Sequence, residues 1–547
     1  MRWDEEYDLV CVGGGIGGLA GAIRGHHLGL STVVLEKSPW LGGVASYSGG
    51  NCFLPGTALA RDAGYHDDPD DAERYLSWVA GDGVAIDRRL LRAFLAAVPE
   101  AVAFFHDTAR VPFRVIAYLP DHYYPAGPGS RPGGRLFEVA VDEATLGEWA
   151  AACWPSPHFP FEEGASRNDL YEGGDRVFHP DQPPAGRLRT FGPGLVAGFV
   201  RAACVDRNIP VHRRTRVREL VQATDGTILG VRADGPDGLR TLRARRGVLL
   251  ATGSYGNAPD VARTEGLPEL IECSPPVLDG DHLTLTDPTR AALIRAGEAF
   301  TALGFHTPGE THPGSDVPLY RQAFASIGFP HSMVVNRRGE RFGDESHISY
   351  LVNAIKAFDV GERRFRNHPC FLVVDDRFRQ RYPLGPFPPG AAWPADLPHA
   401  DDLGSLADLL GVDRALVDTV AAFNAHARAG RDPEFGRGDF PHARIVNGDP
   451  AYPNPNLGPI EQPPFWGIRL SLLGVGIYSL GLAIDPQARA LTRAGEPVPG
   501  LYATGNAVAH AELPRYHGGF ANARNIVYAY LAAGHAARRA DPVTTLG

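Results

Sequence analysis

A short apolar run, Tyr7-Asp8-Leu9-Val10-Cys11-Val12, leads directly into Gly13-Gly14-Gly15-Ile16-Gly17-Gly18-Leu19-Ala20, and this junction restricts the fold more than any other stretch. Continuous rather than alternating hydrophobicity predicts a strand covered on both faces, as in a parallel sheet. Gly13, Gly15 and Gly18 stand in the G-x-G-x-x-G spacing that opens a helix after such a strand. The first permits the tight turn, the second lets a pyrophosphate approach the backbone, and the third lets helix and strand pack closely. The helix N-terminus then offers free N–H groups and a partial positive charge to phosphate. A second strand, Ser31-Thr32-Val33-Val34-Leu35, runs into Glu36 and Lys37. A carboxylate at the end of that strand accepts the ribose hydroxyls of an adenosine. The glycine pattern alone is weak evidence; with both strands, the helix and the carboxylate in register, it predicts a dinucleotide site.

Three further segments select the dinucleotide. Gly42-Gly43, followed by Ser46-Tyr47-Ser48-Gly49-Gly50, resembles the loop of FAD proteins in which backbone passes close to the isoalloxazine. Arg246–Ser254 is an apolar strand ending at Thr252-Gly253, and Pro499–Ala507 enters a turn at Gly505-Asn506, similar to the motif that delivers the ribityl chain. The backbone of Val217, closing the run Val211–Val217, is expected to line the adenine. FAD is therefore the expected cofactor. Noncovalent binding is expected, because relatives that tether the flavin use a His near the Gly-Gly loop and this loop has none.

With FAD motifs near both ends, the nucleotide domain must be discontinuous. The expected fold is α/β: a Rossmann-like FAD-binding domain in two parts, 1–275 and 456–547, around an inserted α+β substrate or catalytic domain, 276–455. In the insert, a helix is expected over Arg290–Ala299, strands around Met333–Asn336 and Phe371–Val374, and a helix over Leu416–Ala427; the chain should close on a helix over Ile526–Arg539. Leu239–Arg246, rich in arginine, reads as an edge strand with a solvated face. A net charge of −10 argues against a nucleic-acid or anionic-membrane partner. No apolar run is long enough to span a membrane, and the cysteines show no zinc, disulfide or iron–sulfur spacing. The acidic opening residues do not read as a secretory signal, so a cytoplasmic location is expected.

Several segments together resemble the 3-ketosteroid dehydrogenases of the fumarate reductase/succinate dehydrogenase flavoprotein superfamily. They are Ser48–Pro55, Asp121–Gly129 with Gly134-Arg135, His331–Asn336 with Gly339–Phe342, Glu345-Ser346 with Tyr350, Phe423-Asn424 and Pro453–Pro459. The resemblance implies desaturation beside a ring ketone, Δ1 regiochemistry favoured, on a hydrophobic steroid-like substrate in lipid degradation. An external quinone or carrier would then take the electrons. It implies Tyr350 as the base that takes the α-proton, approaching from the side opposite the flavin, and Tyr123 as its hydrogen-bonded helper. Tyr516, with the backbone N–H of Gly519, would donate to the carbonyl oxygen. The chemistry requires such a set. An α C–H is too weakly acidic for a side chain unless enolate charge is stabilised as it forms. A tyrosine base, with an ordinary pKa of about 10, needs a partner, since burial alone shifts it the wrong way.

The chain departs from the family pattern in two places. Gly476–Leu482 replaces a Gly-Thr-Lys-Gly-Gly-Leu run, and the loop Tyr516-His517-Gly518-Gly519-Phe520 is about one residue short. The shorter loop is compatible with a Δ4-type dehydrogenase; a separate alternative is a fumarate-reductase-like ene-reductase, for which Arg321, Arg341 and Arg524 are available but no clear arginine-histidine motif is present. Tyr478 stands out as an unmatched substrate contact, whereas His306, His312 and His331 read as locally satisfied.

Overall fold

The computed structural model describes residues 2–159, 164–171 and 187–541, apart from the side chains of Ala325, Ile348 and Tyr350. Leu9, Val10 and Cys11 have no exposed surface, and the strand Glu5–Val12 has a parallel neighbour on each side. Val10 pairs with Val248 of Gly238–Leu250 and with Val33 of Thr32–Leu35. The order across this sheet is Arg489–Leu491, Pro497–Ala503, Gly238–Leu250, Glu5–Val12, Thr32–Leu35, Val211–His212. Arg216–Gln222 and Ile228–Gly235 extend it as antiparallel strands from Gly238–Leu250. The run Leu239–Arg246 is therefore an interior strand, not an edge. Its arginines are tolerated there because acids of the first strand meet them: Arg240 with Glu5, Arg243 with Glu6, and Arg245 with Asp8.

Helix Ile16–His27 lies close on the sheet because it has no side chain where it touches. A Cβ at Gly18 would stand 1.9 Å from the Gly13 carbonyl oxygen, and one at Gly21 would stand 2.3 Å from the Leu249 side chain. Gly13 itself holds φ +110, which an L side chain rarely adopts. The closing helix, Phe520–Arg538, packs beside Ile16–His27 and begins before the expected Ile526. Under its first turns Arg524 and Glu512 form a fully buried ion pair. Arg524 also donates to the carbonyls of Gly505 and Ala509, which fixes the turn entering the nucleotide domain.

A second sheet runs Pro318–Gln322, Thr301–Thr311, Phe465–Gly474, Cys370–Val374, Ser332–Asn336. Its central strand, Phe465–Gly474, comes from the stretch expected in the closing part of the nucleotide domain, and it also pairs with Ile271–Glu272 from the opening part. The expected helix over Arg290–Ala299 does not form. Arg290 at φ +60 and Gly297 at φ +67 interrupt it, and Leu293–Arg295 instead pairs with Leu480–Leu482. The helix Leu416–Arg428 lies where the sequence put it. Beneath it, Arg341 is fully buried between Glu345 (2.6 Å) and Asp432 (2.8 Å), and this charge cluster clamps the segment leading into helix Ile348–Ile355.

Candidate active site

Two adjoining cavities share Val44, Ala45, Asn506 and Asn525 in their walls. The narrower, of about 80 Å³, is lined by Gly13, Gly15, Glu36, Lys37, Gly43, Val217, Thr252 and Gly253, so most residues expected at the dinucleotide meet in one slot. Gly18 and Gly505 are not in its lining. They pack the walls, a Cβ at Gly505 falling 1.9 Å from the Asn525 amide oxygen. Glu36 accepts the N–H groups of Gly14 (2.6 Å) and Ser38 (2.7 Å). Burial raises its pKa and these donors oppose the rise. Lys37 is held by Asp281 (2.5 Å) and Asp279 (3.0 Å). Thr252 Oγ1 and Asn506 Oδ1 are buried without a partner among the described residues. Orphaned polar atoms of this kind call for a ligand or water, and the residues lining the slot suit FAD.

Gly15 separates binding from folding. A Cβ there meets nothing nearer than the Gly42 carbonyl oxygen at 3.8 Å, whereas one at Gly18 would strike backbone. Gly15→Val should therefore fold and yet lose FAD, because its side chain fills the space through which a pyrophosphate approaches. The check is flavin released by acid denaturation, measured beside far-UV circular dichroism; wild-type occupancy in the variant would remove the assignment.

The wider cavity, of about 340 Å³, is lined by Ser48, Gly49 and Gly50 and by Tyr123, Tyr516 and Gly519. Ser349, Val352, Asn353 and Lys356 reach it from helix Ile348–Ile355 and its C-cap, at helical spacing. Tyr350 lies on the same helix, and its side chain is outside the described residues. Gly519, at φ +82, begins the closing helix. Its carbonyl accepts the Phe53 N–H (3.1 Å), and Asn522 donates to the Asn51 carbonyl (3.0 Å), so the loop after Gly50 is tied to that helix end. Burial, with the nearby Tyr123, pushes the Tyr516 hydroxyl up to about 12 and keeps it a proton donor. Burial also raises Tyr123, while Ser349 and the Arg515 charge pull it back.

A group that the sequence reading missed surrounds these tyrosines. His122, His442 and His517 line the cavity, and His347 packs on Tyr123 at 4.9 Å. His122 stacks on His442 at 4.0 Å. Burial and mutual repulsion keep His122 and His442 well below the ordinary imidazole range, and burial takes His347 to about 4 and His517 to about 3. Burial thus favours the neutral form of each. Their signal was the pair of motifs Asp121-His122-Tyr123 and Tyr516-His517, in which a histidine adjoins each tyrosine.

Other expectations are corrected. Tyr478 is no substrate contact: it is buried, absent from the cavity wall, and bonded through its hydroxyl to Glu272 at 2.6 Å. Arg321, Arg341 and Arg524 are not free for a substrate carboxylate, since each pairs with an acid, Glu310, Glu345 and Glu512 respectively. His306 and His331 meet backbone carbonyls of Leu319 and Pro459, as expected of locally satisfied histidines.

A family model described as FAD binding domain matches residues 8–520. The 3-oxosteroid 1-dehydrogenase of Mycobacterium tuberculosis is 31% identical over 98% of this chain and 99% of its own length. The 4-oxocyclohexanecarboxylate 2-dehydrogenase of Sinomonas cyclohexanicum is 31% identical over 94% of this chain and 90% of its own. Among solved structures, the 3-ketosteroid delta1-dehydrogenase of Sterolibacterium denitrificans, in complex with 1,4-androstadiene-3,17-dione, superposes with a TM-score of 0.84 at 28% identity. That match covers 97% of this chain and 99% of the other. Among the described residues, no helix is long and apolar enough to cross a membrane.

Proposed function

Because the chain belongs to the FAD binding domain family, together with the 3-oxosteroid 1-dehydrogenases, we propose that it desaturates a cyclic ketone beside its carbonyl, with a 3-ketosteroid as substrate and Δ1 as the bond formed. It is an FAD-dependent oxidoreductase acting on CH–CH bonds, of the ketosteroid dehydrogenase kind. The observation that carries the reading is that Tyr123, remote in sequence from Tyr516 and Gly519, lines one cavity with them and with the Ser48-Gly49-Gly50 loop. Bound FAD supplies the acceptor for the hydride.

The chain's own residues manage the proton and the carbonyl. Tyr516 Oη and the Gly519 N–H donate to the ketone oxygen and hold the enolate charge as it develops. Tyr350 Oη takes the α-proton, and Tyr123 steadies the phenolate. Neutral His122 and His442 add polarity at that end without competing as acids. Electrons leave to an external quinone or carrier. The ene-reductase alternative is weakened because its candidate arginines are all engaged with acids. The test is anaerobic titration of the FAD-loaded protein with ketosteroids and other cyclic ketones while flavin absorbance is followed. Bleaching by a ketone is expected, and faster reduction of fumarate than oxidation of any ketone would overturn the ranking.

A further inference from the structure

The wider cavity has a charge that the proposed chemistry does not use. Its wall holds three cations, Arg167, Lys356 and Arg515, against one carboxylate, Glu298, in a chain whose net charge is −10. Arg167 is buried and bound to the Gly49 carbonyl (2.9 Å) and the Tyr171 hydroxyl (2.8 Å). The other three form one cluster. Glu298 receives Lys356 Nζ at 2.7 Å and Arg515 Nη1 at 2.8 Å, one cation on each oxygen. Their side chains keep 19% (Lys356), 35% (Glu298) and 40% (Arg515) of their surface, while Phe300 and His517 in the same wall keep 3% and 2%. The cluster therefore stands at the solvent end of the cavity.

One carboxylate shared by two cations leaves a surplus positive charge and unused donors. Arg515 spends one of its N–H groups on Glu298, and Lys356 one of three. Among the described residues no second acid takes the remaining guanidinium donors of Arg515, and such a fork beside an ammonium matches a second carboxylate. Arg515 also directly precedes Tyr516, so one turn of backbone presents a cation and a carbonyl-binding hydroxyl to the same cavity.

We propose that this cluster is a carboxylate subsite and that the substrate is a cyclic ketone carrying a carboxylate, bound by Arg515 and Lys356 at the end away from the reacting carbon. The proposal rests on the ketone-desaturating reading above and adds the charged group. Both a one-ring keto acid and a four-ring keto acid have this chemistry.

The experiment uses the FAD-loaded protein and matched pairs: 4-oxocyclohexanecarboxylate with its methyl ester, and a 3-ketosteroid bearing a side-chain carboxylate with its methyl ester. Flavin bleaching gives an apparent affinity for each. At least one acid is expected to bind about tenfold more tightly than its own ester, the worth of one charge-assisted hydrogen bond to a partly exposed cation. That ratio should shrink in high salt. It should fall towards one in Lys356→Gln and in Arg515→Gln. Glu298→Gln, which frees both cations, should raise it, an opposite change that misfolding would not produce. Equal affinity for acid and ester in both pairs would overturn the subsite while leaving the ketone reading intact. No bleaching by acid or ester would overturn the ketone reading itself.

Discussion

Tyr516→Phe is expected to slow flavin reduction by the ketone about 10²- to 10³-fold, the cost of one lost oxyanion donor, with FAD content unchanged. The hydroxyl is suited to donate. Burial and the neighbouring Tyr123 push it up to about 12, so the proton stays on Oη through neutral and moderately alkaline solution and leaves only as the pH approaches that value. The rate should therefore rise with pH as the base ionises and meet no loss from Tyr516 until near the top of that range. Phe retains the ring that packs edge-on against Phe300 at 5.7 Å, so the variant tests the oxygen alone. A fall of only about twofold, against the expected range, would mean that the carbonyl is held elsewhere. Tyr478 is excluded by its bond to Glu272 and its absence from the cavity wall. Attention would pass to His122, whose ring lies so near Gly518 that a Cβ there would meet its Cε1 at 2.3 Å.

What the sequence disclosed and what it hid divide by the range of the interactions. The dinucleotide slot was legible because strand, turn and helix write their constraints within a few residues: Gly13 must take φ +110, and Gly18 must lack a side chain. Tyr123 and Tyr516 were singled out through motifs that carry their local context, and the fold brings both to one cavity wall. Charge was not legible. Arg240, Arg243 and Arg245 read as a solvated edge because their partners, Glu5, Glu6 and Asp8, sit on a strand at the far end of the opening domain. Arg321 and Arg341 read as free cations until folding supplied their acids. Tyr478 looked available because Glu272 lies 206 residues away. The failed helix over Arg290–Ala299 is different in kind, since two residues of positive φ overrode an apolar spacing that suits a helix. The histidines escaped because neutral imidazoles show their role only when four segments of the chain bring them together.

Tyr350→Phe carries the second large effect: exchange of the substrate's α-hydrogen with deuterated solvent, and desaturation with it, should fall at least about 10²-fold, as for loss of a positioned general base. FAD content and thermal stability should hold. The grounds are the helix Ile348–Ile355, which sends Ser349, Val352 and Asn353 into the cavity, and the clamp that fixes its approach. Arg341 is fully buried and pairs with both Glu345 and Asp432, and breaking such a cluster costs several kcal/mol, about 3–5, so the helix start has little freedom to drift. Phe keeps the ring and removes only the ionisable oxygen. Tyr123→Phe should weaken exchange less and move the alkaline optimum upward, because a phenolate that loses its hydrogen-bonded partner holds its proton more tightly. Wild-type exchange in Tyr350→Phe would place the base elsewhere. Tyr320 stacks on His306 and has no part in the cavity wall. Tyr123, which lines the wall and feels the Arg515 charge, would then have to take the proton itself, and Tyr123→Phe would become the variant that abolishes exchange.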